Sequence, residues 1–268
     1  MNMLTALAER EMTPASRRRF FAIVGLVFIA SVLTTYALHA SMSSMHGIPM
    51  PGGAMLPTSF TPMCGRSWLR AAASFVGMWI AMMTAMMLPS FAPLLWRHRI
   101  MLERAGVRRV TLHSVLMAAG YVGVWTLIGV AVCALGAGFS EIAMRMPAIA
   151  RCVPFAGGTV VLLAGVLQFS KWHAHLQACC RDVAPARASA FGAWLDGVRR
   201  GFHCVGCCAG LTATLLVFGM MDLRAMAFVT LAISIERLAP FGEAVARVIG
   251  AALLVIGSAM ILFALSNR

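Results

Sequence analysis

The chain has 268 residues, of which 60% are hydrophobic and 12% charged, and its mean hydropathy is +0.85. That composition leaves too little polar surface for a soluble domain and predicts an all-α polytopic membrane bundle. The net charge of +13 needs no nucleic acid, because the basic residues are distributed as topology signals.

A helical crossing needs about 20 mainly apolar residues. Runs at 20–38, 71–95, 110–132, 154–170, 205–221, 225–238 and 248–266 predict about seven spans, the sixth being short. No sustained period-2 alternation is present, which argues against a β-barrel. With the N-terminus cytoplasmic, only Arg66, Arg70, Arg145, Arg151, Arg224 and Arg268 of the 22 basic residues fall at outer positions. The positive-inside rule therefore selects this orientation. Residues 1–19 form a cytoplasmic segment, and 20–268 a single transmembrane helical domain of the bacterial inner membrane.

The stretch Ser16 to Phe20 (SRRRF) resembles a twin-arginine export signal. The apolar run behind it has full spanning length, so it reads as a retained first helix. An outer loop follows over 39–67, rich in Gly, Pro and Ser. It carries His39, Met42, Met45, His46 and Met50, then Met55, Met63 and Cys64. Methionine and histidine with almost no carboxylate favour capture of Cu(I) or Ag(I) over harder ions.

The second run holds Met78, Met82 and Met86 at i+4 steps, with Met83 and Met87 on the adjacent stripe. Methionine stripes are usually core. Beside Ala81, Thr84 and Ala85, which permit close helix approach, these five also form a polarizable thioether surface suited to Cu(I). Pro89 is expected to break or kink the helix just beyond them.

Of eight cysteines, Cys64, Cys133 and Cys152 fall on the outer side, where an oxidising compartment would join Cys133 with Cys152. The other five lie inside, in a reducing compartment. The segment from Lys171 to Cys180 (KWHAHLQACC) places His175 and Cys179 four apart and adds His173 and Cys180. The segment from Gly201 to Cys208 (GFHCVGCC) opens the fifth run with His203, Cys204, Cys207 and Cys208. On a helix the three thiols stand at i, i+3 and i+4, on one face, and a nearby helix N-terminus would favour thiolate. Metal ligation, redox thiol chemistry and plain packing are the three readings of this spacing, with ligation first. Glu236, near the inner end of the sixth run, is expected to pair with Arg237 or to support the site from behind.

Four motifs carry a resemblance: Met86 to Ser90 (MMLPS), Cys204 to Cys208 (CVGCC), Gly219 to Leu223 (GMMDL) and Glu236 to Pro240 (ERLAP). Together they resemble a bacterial family of unknown function described as predicted metal-binding integral membrane proteins, over roughly Gly77 to the C-terminus. The resemblance implies a helical membrane bundle with a metal site, and no established reaction. Cys204, Cys207, Cys208, Glu236, Met86, Met87 and Pro89 match its motif positions, and Cys180 before Arg181 resembles a further motif cysteine. Where that motif has a proline, a lysine and an earlier cysteine, this chain has Lys171, His173 and Leu176, with Cys179 beside Cys180.

The sequence thus predicts a membrane protein that binds a soft metal, Cu(I) before Zn(II), in copper trafficking or homeostasis, rather than an enzyme. The expected partners are the lipid bilayer and a copper chaperone or another membrane protein. The alternatives are a membrane thiol oxidoreductase using Cys204 and Cys207, and a structural membrane assembly factor.

Overall fold

A computed structural model of the protein describes residues 14–43, 48–49, 55–56, 68–181, 187, 189–219 and 222–266, excepting the side chains of 41–43, 48–49, 55–56 and 147–151. Eight helices dominate these residues: α1 (Pro14–Ser43), α2 (Trp68–Arg104), α3 (Val110–Arg145), α4 (Pro147–Gln168), α5 (Lys171–Arg181), α6 (Ala190–Phe218), α7 (Leu223–Leu238) and α8 (Gly242–Ser266). A two-residue antiparallel ladder pairs Ile48 with Leu56 between α1 and α2.

Five helices, α1, α2, α3, α6 and α8, are long and apolar enough to cross a membrane. The pair Cys152–Gln168 and Lys171–Arg181 passes the same test together, bent by 67°, and makes six if counted as one span. Among the described residues the count is thus five or six, against the seven or so expected. At 16 residues, α7 is about 24 Å long, short of a hydrocarbon core of about 30 Å. Leu26, Leu69, Leu135, Val255 and Phe263 are among the large apolar side chains left exposed. Long apolar helices with an apolar exterior mark a membrane protein, since hydrocarbon rather than water tolerates such a surface.

The helices are longer than their apolar cores. Ala and Met carry α1 past the first run to Ser43, so His39 and Met42 lie on a helix rather than in an outer loop. Met45, His46 and Met50 lie outside the described residues. On α2 the helix continues through Pro89 and Pro93 to Arg104, and the break expected at Pro89 does not occur. Each proline removes one backbone hydrogen bond, a loss that neighbouring helices and hydroxyls offset inside a bundle.

No disulfide joins Cys133 and Cys152. Because α3 runs on to Arg145, Cys133 lies about 18 Å from that end, whereas Cys152 is only about 7 Å into α4. They stand at different depths.

The largest interfaces are α4 with α8 and α3 with α6. At the second, a Cβ on Gly197 would meet the Met117 backbone carbonyl, and one on Gly120 would meet that of Trp194. Only glycine allows backbones so close. This contact brings the Tyr121 side of α3 against the cysteine face of α6, and the Met stripe of α2 closes the same core.

Candidate metal centre

Helix α6 begins well before the thiols. Ser189 caps it, its side chain accepting from the Gly192 amide at 3.0 Å, and the polar Asp196, Arg199 and Arg200 hide this stretch from an apolar-run reading. Cys204 is consequently about 21 Å from the helix start. The dipole of the first turn does not reach so far, so the expected thiolate stabilisation by a helix N-terminus is withdrawn.

Helical spacing does place Cys204, Cys207 and Cys208 on one buried face. Cys207 Sγ lies 3.9 Å from Cys208 Sγ and 3.5 Å from Cys180 Sγ of α5. Cys204 Sγ lies 3.7 Å from Met87 Sδ of α2 and 2.8 Å from the Tyr121 hydroxyl of α3. Tyr121 is itself fixed by stacking on Phe91, with ring centroids 4.1 Å apart. Three helices thus contribute sulfur to one interior, α2 from far away in sequence and the consecutive α5 and α6, and a fourth contributes a phenol.

Gly206 is what admits α5. A Cβ there would run into Leu176 Cδ1, so the missing side chain lets α5 lie against α6 and carry Cys180 to Cys207. The same face of α5 is also clamped to α7. His173 Nε2 lies 2.7 Å from Glu236 Oε1, the Gln177 amide donates to the same oxygen, and Arg181 donates to the Glu236 carbonyl at 2.5 Å. His173, Gln177 and Glu236 are all buried. A buried carboxylate needs such donors, and here it receives them from α5.

Glu236 therefore does not pair with Arg237. Successive helical residues project about 100° apart, and Arg237 turns to the sulfurs instead. Its Nη2 lies 2.6 Å from Cys207 Sγ, 3.3 Å from Cys208 Sγ and 3.7 Å from Cys180 Sγ, while Nη1 is 3.4 Å from Ser90 Oγ. A guanidinium stays charged in any protein setting, so the cluster carries a fixed positive charge.

The remaining candidates fall elsewhere. Met82, Met83 and Met86 are buried in the same core as Met87, and Met83 lines a small cavity with Thr84, Tyr121 and Trp125. His175 pairs with Cys179 at 3.7 Å on the exposed side of α5, away from Cys180. His203 is spent on the Arg199 carbonyl at 2.7 Å, and His173 is spent on Glu236. Sequence reading missed Tyr121 and gave Arg237 only a topological role and a pairing with Glu236. The available signals were that Tyr121 is one of two tyrosines in the chain, and that a charged residue inside an apolar run usually has a partner.

Among the described residues, no three His, Cys, Asp or Glu side chains already form a ligand cage. The sulfurs nonetheless have suitable separations. Thiolates held at about 2.3 Å from a tetrahedral ion stand about 3.8 Å apart, against 3.5 and 3.9 Å here. The donors that meet are thiols and a thioether, the chemistry that suits Cu(I).

Such a fold and centre define a class: an apolar helical bundle with a sulfur-lined interior. Residues 76–260, more than half of the chain, match the model of the PpoB2 family, described as copper chaperones, and the chain belongs to that family. This region contains the four motifs whose resemblance implied a metal site. No curated protein and no solved structure matches the chain. Family membership gives a copper-related role and implies copper as the metal.

Proposed function

We propose that the protein is a multi-pass protein of the bacterial inner membrane, N-terminus cytoplasmic, that binds Cu(I) as cargo and passes it on. One observation carries this reading: the sulfurs of Met87, Cys180, Cys204, Cys207 and Cys208 gather inside the bundle, from three separate helices. Three clustered thiols would be unusual as mere packing, and the family's copper role supports cargo over chance. Cys204, Cys207 and Cys208 hold the ion, Cys180 completes the set, and Met82, Met83, Met86 and Met87 line the approach. Cys179, His175 and His203, on more accessible surfaces, suit handover to a protein partner rather than retention. His173 and Glu236 position α5. Zn(II) is the runner-up ion, for which four ligands in a tetrahedron are needed. His39, Met42, Met45, His46 and Met50 remain proposed capture residues on compositional grounds.

Cu(I) moves between thiolate sets by exchange, one donor leaving as another arrives, so a cluster with more donors than an ion requires suits transfer. The test is copper per chain of the full-length protein purified in detergent under reducing conditions. Stoichiometric copper supports the reading, and its absence ends it. A reporter fused after Arg109 or Arg187 should read cytoplasmic, and one within 47–61 periplasmic. The reverse pattern would place the cluster's end of the bundle in the oxidising compartment.

A dithiol oxidoreductase is the second reading, favoured by the 3.5 Å approach of Cys180 to Cys207. The pair is then Cys180 with Cys207 rather than Cys204 with Cys207. It predicts little tightly bound metal, so the same purification separates the two.

A further inference from the structure

The position of Arg237 has a consequence for which ion the cluster accepts. Its Nη2 lies within 3.7 Å of three sulfurs, those of Cys180, Cys207 and Cys208. That is the place an ion shared by the same sulfurs would take. An arriving cation must therefore displace a permanent cation, and the displaced group stays close by. Its other nitrogen already rests on Ser90 Oγ of α2 at 3.4 Å, which offers an acceptor as the fork withdraws.

We infer that Arg237 is the residue that sets the cluster for a monovalent soft cation and against a divalent one. The inference rests on the metal-binding reading above. Two thiolates around Cu(I) leave one negative charge, which the displaced guanidinium neutralises from beside the ion. The same two thiolates around Zn(II) are already neutral, and the guanidinium is left uncompensated beside a dication. Unpaired charge in a poorly solvated interior is strongly disfavoured. Repulsion between guanidinium and ion also scales with the charge of the ion, so it weighs twice as heavily on Zn(II). On release the guanidinium returns to the sulfurs, and a proton taken up by one thiolate in place of Cu(I) leaves the buried charge unchanged. Loading and unloading then proceed without exposing bare thiolates to the apolar surroundings.

The experiment titrates the full-length protein, in detergent under reducing conditions, with Cu(I) and Zn(II), and separately with Ag(I) and Cd(II), against chelators of known affinity. Each pair shares a filled d shell and a row, and comparing the affinity ratio of a variant with that of the parent cancels the intrinsic difference in softness within the pair. Replacing Arg237 by Gln should lower the monovalent-to-divalent ratio at least about tenfold in both pairs. Arg237→Lys, which keeps the charge, should stay within about threefold of the parent. Thermal melts establish folding, and Arg237→Met, neutral and of similar reach, repeats the comparison if the Gln protein does not fold. An unchanged ratio in a folded neutral variant overturns the inference. So does an equal loss in the Lys and Gln proteins, because the role would then be one of shape. If the parent protein binds none of the four ions, the metal reading itself falls, a result distinct from a parent that binds without charge preference.

Discussion

Cys180 and Cys179 are adjacent in the chain and belong to different regions of the molecule. Cys180 turns inward to Cys207 and Arg237, whereas Cys179 turns outward to His175. The inner region draws sulfur from α2, α5 and α6 and a charge from α7. The outer region is a single-helix i, i+4 pair that local geometry alone produces. The same residue types thus form a many-helix centre on one side of α5 and a two-residue contact on the other. Ligand-type residues make a centre only where tertiary packing brings several helices to one point.

The inner region is expected to respond most. Cys207→Ser removes the sulfur that touches Cys180, Cys208 and Arg237 together, and bound copper should fall by more than about tenfold, because thiolates act as a set. Cys204→Ser and Cys208→Ser should follow closely, with Cys133→Ser as the unaffected control. Metal per purified chain is the measurement, and full copper in the Cys207→Ser protein would dissolve the distinction between the regions.

Next comes the scaffold of the inner region. Gly197→Val drives a side chain into the Met117 backbone, which cannot yield as a flexible side chain does. Destabilisation of roughly 3 kcal/mol is expected, together with loss of the Tyr121 to Cys204 contact. A thermal melt in detergent reads the first effect and copper content the second. A protein that melts like the parent would show that the α3 and α6 backbones need not be so close.

A smaller change tests the clamp on α5. Glu236→Ala strips His173 and Gln177 of their shared acceptor, at a cost of about 1–3 kcal/mol. Loosening α5 should also lower copper content partially, in step with Cys180→Ser. If stability drops while copper stays full, Cys180 is not needed to complete the set.

The outer region should respond least. Cys179→Ser, His175→Ala and His203→Ala should each leave copper content within about twofold of the parent, since exposed local pairs contribute little. A slower handover of copper to an acceptor thiol would instead assign these residues to transfer. Copper loss as large as that of Cys207→Ser would make the two regions one site.

Some of this was legible in the residues alone. Apolar run length marked α1, α2, α3, α6 and α8 because a bilayer imposes a minimum hydrocarbon span. The i, i+3, i+4 spacing put Cys204, Cys207 and Cys208 on one face because helix geometry is local. Boundaries were less legible. Polar residues such as Asp196 and Arg200 lie within the first turns of α6, so the apolar stretch began too late and the thiols looked like a helix start. Three things depended on tertiary structure. Gly206 admits Leu176 and so brings Cys180 in, Gly120 and Gly197 deliver Tyr121, and the clamp on Glu236 leaves Arg237 free to face the sulfurs. Each is a contact between separate helices, and its existence depends on which faces pack together, a property that no local period encodes.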